Sequence, residues 1–177
     1  MLNEKIEHAF NAQLNAERYS SDLYLSMAAW FYSQNLPGFA NWMRVQAKEE
    51  DAHANKFFDY ILARGGKVIL SEIGAPPGRW DSPTAAFENV LSHERKVTGL
   101  IHDLVDLAAA EKDHSASSFL RWFVDEQVEE EESAERVLSQ ARMASGSPAA
   151  LLMLDREFST RTFTPPAQAR RETQAQE

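Results

Sequence analysis

Glycine and proline divide this chain into a few long uninterrupted stretches. The 177 residues contain only seven of each, and all but Gly99 lie in clusters. The clusters are Pro37-Gly38, Gly65-Gly66, 74–80, Pro83, 145–148 and Pro165-Pro166. Both residue types disfavour a helix interior, so we expect breaks at the clusters. The apolar periodicity between them predicts four long helices at 4–34, 38–64, 84–111 and 115–143, and a short fifth at 148–159.

The connections between these helices predict an all-α four-helix bundle. The links at 35–38 and 111–115 are short, so each should join two antiparallel neighbours. Segment 65–83 is long, and at about 3.3 Å per residue it can cross the full length of the bundle. We therefore expect one domain over 1–163, in which a long crossover joins two helical hairpins. Residues 164–177 form a polar tail that we expect to be disordered.

The charge and the lack of cysteine exclude several classes of function. The net charge of −9 disfavours nucleic acid and anionic membranes as partners and favours cations. Without cysteine there are no disulfides, thiolate metal sites or thiol nucleophiles, which fits a reducing compartment. We see no signal peptide in the first ten residues, and no apolar run approaches the roughly 18 residues needed to span a membrane. A cytoplasmic location is expected.

Each long helix carries a glutamate at mid-length within its own apolar stripe. Residues seven apart lie on nearly the same helix face, offset by about 20°. The four triplets with this spacing are Phe10, Glu17 and Tyr24; Met43, Glu50 and Phe57; Phe87, Glu94 and Ile101; and Phe123, Glu130 and Val137. A single acid in such a stripe often lies at its edge, with the carboxylate in water. Four at matched heights would repel one another if buried, which indicates a cation among them.

A weak internal repeat relates the two predicted hairpins. A shift of 77 positions places Glu17 on Glu94, Glu50 on Gln127 and His53 on Glu130. The hairpins should therefore be related by a pseudo-two-fold axis that passes through the acid cluster.

The residue types and their spacing match a two-metal carboxylate centre. In a four-helix bundle such a centre takes one glutamate from each of two helices and a Glu-x-x-His pair from each of the others. The chain supplies Glu17, Glu94 and the pair Glu50 and His53. Its fourth helix departs, with Gln127 and Glu130 in place of the second pair. Carboxylates and one imidazole without sulfur suit iron or manganese.

This set of ligands predicts two unequal metal positions. One would have Glu17, Glu50 and His53, and the other Glu50 as a bridge with Glu94 and Glu130. Gln127 is neutral, so we expect it to hydrogen-bond to a coordinated oxygen species or water and to leave one metal less tightly held.

Over residues 1–163 the chain resembles the bacterial non-haem ferritins. The resemblance rests on Glu17, Tyr24, "KEEDAH" (48–53), "HER" (93–95), "DEQVEEE" (125–131) and the long crossover, all in register. It implies a ferritin-like four-helix bundle and a short C-terminal fifth helix that lines four-fold axes. It also implies a hollow homo-oligomer of 24 subunits.

The same resemblance implies an activity. Members of the family oxidise Fe(II) with dioxygen or hydrogen peroxide at a di-iron centre and store ferric oxyhydroxide mineral in the cavity. The resemblance adds a third iron site, which would use Glu49, Glu126, Glu129 and Glu130. Tyr24 matches a tyrosine beside the centre that is a candidate electron donor.

Related classes fit the sequence less well. Haem-binding bacterioferritins have a methionine where this chain has Asp51, and Glu-x-x-His on the fourth helix, so no haem is expected. Twelve-subunit iron cages lack the fifth helix. A rubrerythrin-like peroxidase usually adds a cysteine-rich domain, and an oxygenase would keep its irons as a fixed cofactor. A non-catalytic cage subunit would not need the ligands of the first metal position.

His93 lies about 100° from Glu94 on its helix and is left out of the ligand set.

Overall fold

The computed structural model describes residues 2–165, and every regular element among them is a helix. The elements are α1 (Glu4–Ser33), α2 (Pro37–Ala63), α3 (Pro83–Ala110), α4 (His114–Ala144) and α5 (Pro148–Phe158). The five predicted helices are confirmed, each end within one residue of its predicted position. The predicted tail at 164–177 falls outside the described residues except for its first two positions.

Side chains that accept backbone N–H groups determine where the helices begin. The caps of α1, α3, α4 and α5 are Asn3, Ser82, Asp113 and Ser147. α2 has no side-chain cap of its own at Leu36. Instead, Asp155 of α5 accepts from the backbone N–H of Gly38 at 2.7 Å and of Phe39 at 3.0 Å. A carboxylate from the fifth helix therefore satisfies the first turn of the second and attaches the two helices to each other.

The two short turns repeat the same backbone geometry. Asn35, between α1 and α2, has φ of 57°, and Lys112, between α3 and α4, has φ of 54°. Both lie in the left-handed region, which asparagine tolerates better than lysine. The two positions are 77 apart. The repeat seen in the glutamates therefore extends to the conformation of the hairpin turns.

The crossover between α2 and α3 follows the length of α1. Near the start of α1, the Asn11 side chain donates to the carbonyl of Lys67 at 2.9 Å and accepts from the N–H of Ile69 at 2.7 Å. Further along, the Ser26 hydroxyl donates to the carbonyl of Pro77 at 2.6 Å. These bonds support the predicted connection from one end of the bundle to the other.

Two apolar clusters lie on either side of the glutamates. Phe10, Phe57, Ile101 and Phe123, one from each long helix, belong to one cluster. Tyr24, Met43, Phe87 and Val137 belong to the other. These are the residues seven before and seven after the four glutamates, so the predicted acid layer sits between two hydrophobic cores. Among residues 2–165, no helix is both long and apolar enough to cross a membrane.

Candidate metal centre

The four core glutamates and His53 are buried at the middle of the bundle. Glu17, Glu50, Glu94 and His53 are at most 2% exposed, and Glu130 is 8% exposed. The alternative in which these acids reach water from the edge of a stripe is therefore excluded. Carboxylates removed from water need hydrogen bonds, protons or cations to compensate for the lost hydration.

The first group of possible ligands is formed by Glu17, Glu50 and His53. One ligand atom of each lies within 4.8 Å of the others, and His53 Nδ1 is 3.5 Å from Glu50 Oε2. Gln13 Nε2 donates to Glu17 Oε1 at 2.8 Å. Glu17 Oε2 has no hydrogen-bond partner among the described residues, and neither does His53 Nε2. A buried polar atom left unpaired costs about 1–3 kcal/mol, so this donor set fits a bound cation.

Glu94 accepts hydrogen bonds from side chains of α1, α3 and α4. The Tyr24 hydroxyl donates to its carboxylate. Gln127 Nε2 donates to the Glu94 backbone carbonyl at 3.3 Å and to Thr98 Oγ1 at 3.2 Å. The Gln127 amide is therefore turned toward α3, and its carbonyl oxygen is not used in these bonds.

Glu130 is held by a side chain of α2. Gln46 Nε2 donates to Glu130 Oε2 at 2.5 Å. A second group of possible ligands brings Glu130 together with His53 and Glu126, again with one ligand atom of each within 4.8 Å of the others. Glu94 belongs to neither three-residue group, so the expected second position with Glu50, Glu94 and Glu130 remains a prediction.

Burial and mutual repulsion raise the pKa values of three buried carboxyl groups. Burial, followed by the charge of Glu130, raises the pKa of Glu94 to about 8. Burial also raises the pKa of Glu130 to about 7, and that of Glu50 well above its usual range. For His53, burial lowers the pKa, but Glu126 and Glu50 outweigh it and the net shift is upward. A divalent cation would relieve the repulsion and displace protons from these groups.

The residues expected at a third site do not share one environment. Glu49 accepts from Arg161 Nη2 at 2.6 Å. Glu126 is half-buried, and its Oε1 lies 3.8 Å from His53 Nε2. Glu129 is exposed. Of the third-site candidates, Glu126 and Glu130 lie close to His53, whereas Glu49 already forms a salt bridge with Arg161.

Sequence reasoning missed the amides and the arginine that surround the acids. Gln13 and Gln46 each lie one turn before a core glutamate, at spacing i−4 from Glu17 and Glu50. A glutamine on an apolar stripe is the signal that could have identified both. Arg161 follows α5 in a segment without periodicity, and no sequence signal connects it to Glu49, 112 residues earlier.

Two aromatic contacts complete the surroundings. The rings of Trp122 and His53 meet edge to face with centroids 5.4 Å apart, and Lys56 Nζ lies 4.0 Å from the Trp122 ring centroid. His93, left out of the ligand set, has its Nε2 2.8 Å from Ser20 Oγ.

Comparison with known proteins agrees with this geometry. A family model described as a ferritin-like domain matches residues 7–144. A bacterial non-heme ferritin of Bacteroides fragilis is 42% identical over 161 residues, which cover 91% of this chain and all of the relative. One from Staphylococcus saprophyticus is 38% identical, covering 92% of this chain and 98% of that protein. An open-pore ferritin structure from Archaeoglobus fulgidus superposes with a TM-score of 0.90 at 51% identity, covering 92% of this chain and 100% of that one.

The five-helix fold, the buried layer of four glutamates and these relatives lead to one assignment. The resemblance inferred from the motifs is confirmed, and the chain belongs to the ferritin family.

Proposed function

We propose that this protein is an iron-storage ferroxidase that binds two Fe(II) ions within the bundle and oxidises them. The observation that carries the proposal is the pair of buried, unpartnered ligand atoms, Glu17 Oε2 and His53 Nε2. They lie in a layer of four buried carboxylates between two apolar cores. Membership of the ferritin family supports iron storage and ferroxidase activity in general.

Five side chains have direct roles as ligands in this proposal. Glu17, Glu50 and His53 bind one Fe(II), and their existing proximity supports that position. Glu50 bridges to a second Fe(II) that Glu94 and Glu130 bind. Gln127 serves as a weak ligand or hydrogen-bond donor on the side where a second histidine is absent.

The oxidation is a balanced two-electron step. Two Fe(II) ions give up one electron each, and one dioxygen takes both electrons with two protons to become hydrogen peroxide. If hydrogen peroxide is the oxidant, the same two electrons and two protons give two water molecules. The protein holds the two irons close enough for a single oxidant to accept both electrons.

Further residues have supporting roles. Tyr24 donates a hydrogen bond to Glu94, and this contact supports its proposed role as an electron donor. Glu49, Glu126 and Glu129, with Glu130, form a looser third iron site. Ferric iron then collects as oxyhydroxide mineral in the cavity of a cytoplasmic cage of 24 subunits. No haem takes part.

Aerobic addition of Fe(II) to the Glu50→Ala variant tests the proposal. Glu50 is proposed to contact both irons, so the fast phase of Fe(III) formation, followed by ultraviolet absorbance, should be lost. Glu132→Ala is the matched control, because it removes a carboxylate that is exposed on α4. A fast phase of equal rate in E50A and wild type would overturn the assignment of the centre.

The number of irons processed separates storage from a fixed cofactor. A storage ferroxidase should oxidise and retain many irons per subunit inside a hollow particle visible by electron microscopy. A protein that takes up two irons and stops would instead be an oxidoreductase with a resident di-iron centre.

A further inference from the structure

The C-terminal end of α5 and the residues after it are hydrogen-bonded to α2. Asn41 Nδ2 of α2 donates to the backbone carbonyl of Phe158 at 3.1 Å and to that of Arg161 at 2.9 Å. Asp155 anchors the same helix to the first turn of α2. These contacts fix the backbone of Arg161 beside the outer face of the acid layer.

The guanidinium of Arg161 uses this position to contact three groups of α2. Nη1 donates to the Trp42 carbonyl at 3.1 Å and to Gln46 Oε1 at 2.8 Å, and Nη2 donates to Glu49 Oε2 at 2.6 Å. The guanidinium carbon also lies 4.5 Å from the centroid of the Trp42 ring. Only arginine has a planar fork that can serve these acceptors together.

Gln46 transmits the position of Arg161 to Glu130. Its Oε1 accepts from Arg161, and its Nε2 donates to Glu130 Oε2 at 2.5 Å. Rotating this amide by half a turn would place its NH₂ against the guanidinium and its oxygen against the carboxylate, so Arg161 keeps it in the donating orientation. The arginine therefore holds Glu49 directly and Glu130 through one amide.

The same region is where a cation beyond the first two would bind. One ligand atom each of His53, Glu126 and Glu130 lies within 4.8 Å of the others there. Glu49 would add a further carboxylate, but its Oε2 is occupied by a fixed positive charge. A cation that binds Glu49 Oε2 must therefore displace the guanidinium from this carboxylate.

The group formed by His53, Glu126 and Glu130, with Glu49 beside it, is called the outer metal position. We infer that Arg161 is a positioning residue that limits cation binding there. It pairs with Glu49 and orients Glu130 through Gln46, so a third cation binds only in exchange for the guanidinium. This inference rests on the proposed metal centre. The affinity of the outer position for a cation then depends on the docking of the fifth helix, because the contacts of Asn41 and Asp155 hold Arg161 in place.

Titration with Zn(II), which cannot be oxidised, tests the inference by calorimetry on the assembled, metal-free protein. Wild type should bind two Zn(II) per subunit tightly and a third weakly. Arg161→Gln should bind the third at least about tenfold more tightly, because the competing charge is gone. Arg156→Gln is the matched control, since it removes an exposed positive charge from α5 and should leave all affinities unchanged.

Two further variants separate charge from structure. Arg161→Lys keeps the positive charge but loses the planar fork, so its third Zn(II) should bind more tightly than in wild type and less tightly than in R161Q. In the double variant Arg161→Gln with Glu49→Gln, the gain should disappear, because Glu49 is the ligand that is released. Equal third-site affinity in R161Q and wild type, or a gain that survives in the double variant, would overturn the inference.

The titration also distinguishes failure of the inference from failure of the proposed function. A wild-type protein without two tight Zn(II) sites would contradict the centre itself. Two tight sites, with a third that does not respond to Arg161, would contradict only the role of the arginine.

Discussion

Replacing Glu94 by glutamine should stabilise the metal-free protein. Glu94 is 1% exposed, and its pKa rises from 4.5 to about 8, first through burial and then through the charge of Glu130. The folded protein therefore keeps this proton over a pH range in which the unfolded chain releases it. The free energy of unfolding therefore decreases as the pH rises from 4.5 toward 8, because the unfolded chain binds fewer protons than the folded protein. Glutamine has a similar shape and still accepts from the Tyr24 hydroxyl, but it cannot ionise.

The size of the effect follows from the pKa. Each pH unit between the unfolded and folded pKa corresponds to about 1.36 kcal/mol. From 4.5 to pH 7 the interval is about 2.5 units, so Glu94 lowers the free energy of unfolding by about 3 kcal/mol at pH 7. The advantage of E94Q should be close to zero near pH 4.5 and should grow with pH until about pH 8.

Guanidinium unfolding of the metal-free protein, followed by circular dichroism from pH 5 to 8, measures this difference. Wild type and variant must be compared at equal subunit concentration, because the stability of an oligomer depends on it. Glu132→Gln, an exposed site on α4, is the control and should change stability by no more than about 0.5 kcal/mol. A variant no more stable than wild type at pH 7, or a gap that does not widen with pH, would refute the reasoning.

Substitutions at three further positions test the fold by thermal denaturation. Asp155→Ala removes the acceptor of two N–H groups at the start of α2 and should cost about 1–2 kcal/mol, whereas Asp155→Asn keeps an acceptor and should lose less. Lys112→Asn should raise stability by about 0.5 kcal/mol, because asparagine tolerates the left-handed conformation better; a lower midpoint would contradict this. Phe57→Ala should cost about 3–5 kcal/mol, since its ring is fully buried; a loss below 1 kcal/mol would mean that the core refills the space.

The sequence predicts the helices well for a physical reason. Glycine and proline lie almost only at the breaks, and Pro37, Pro83 and Pro148 each occupy the first helical position, where the missing N–H is not needed. The periodicity then determines which residues face inward. That is why the periodicity alone places the four glutamates and His53 in the core.

The contacts between distant segments could not be predicted in the same way. Arg161 reaches Glu49 only because Asp155 and Asn41 attach α5 to α2, and no local pattern encodes that docking. The hydrogen bonds of Gln127 depend on the position of Thr98 on the neighbouring helix. Helical angles show which face of its helix a residue occupies. They do not reveal which side chains from other segments will contact that residue.

Anomalous diffraction at the iron absorption edge tests the central claim most directly. Crystals soaked anaerobically with Fe(II) should show two iron peaks per subunit in the buried acid layer. One peak should lie among Glu17, Glu50 and His53, and the other should lie on the side of Glu94 and Glu130. Iron found only on exposed acids such as Glu129 and Glu132, with the buried layer empty, would contradict the account.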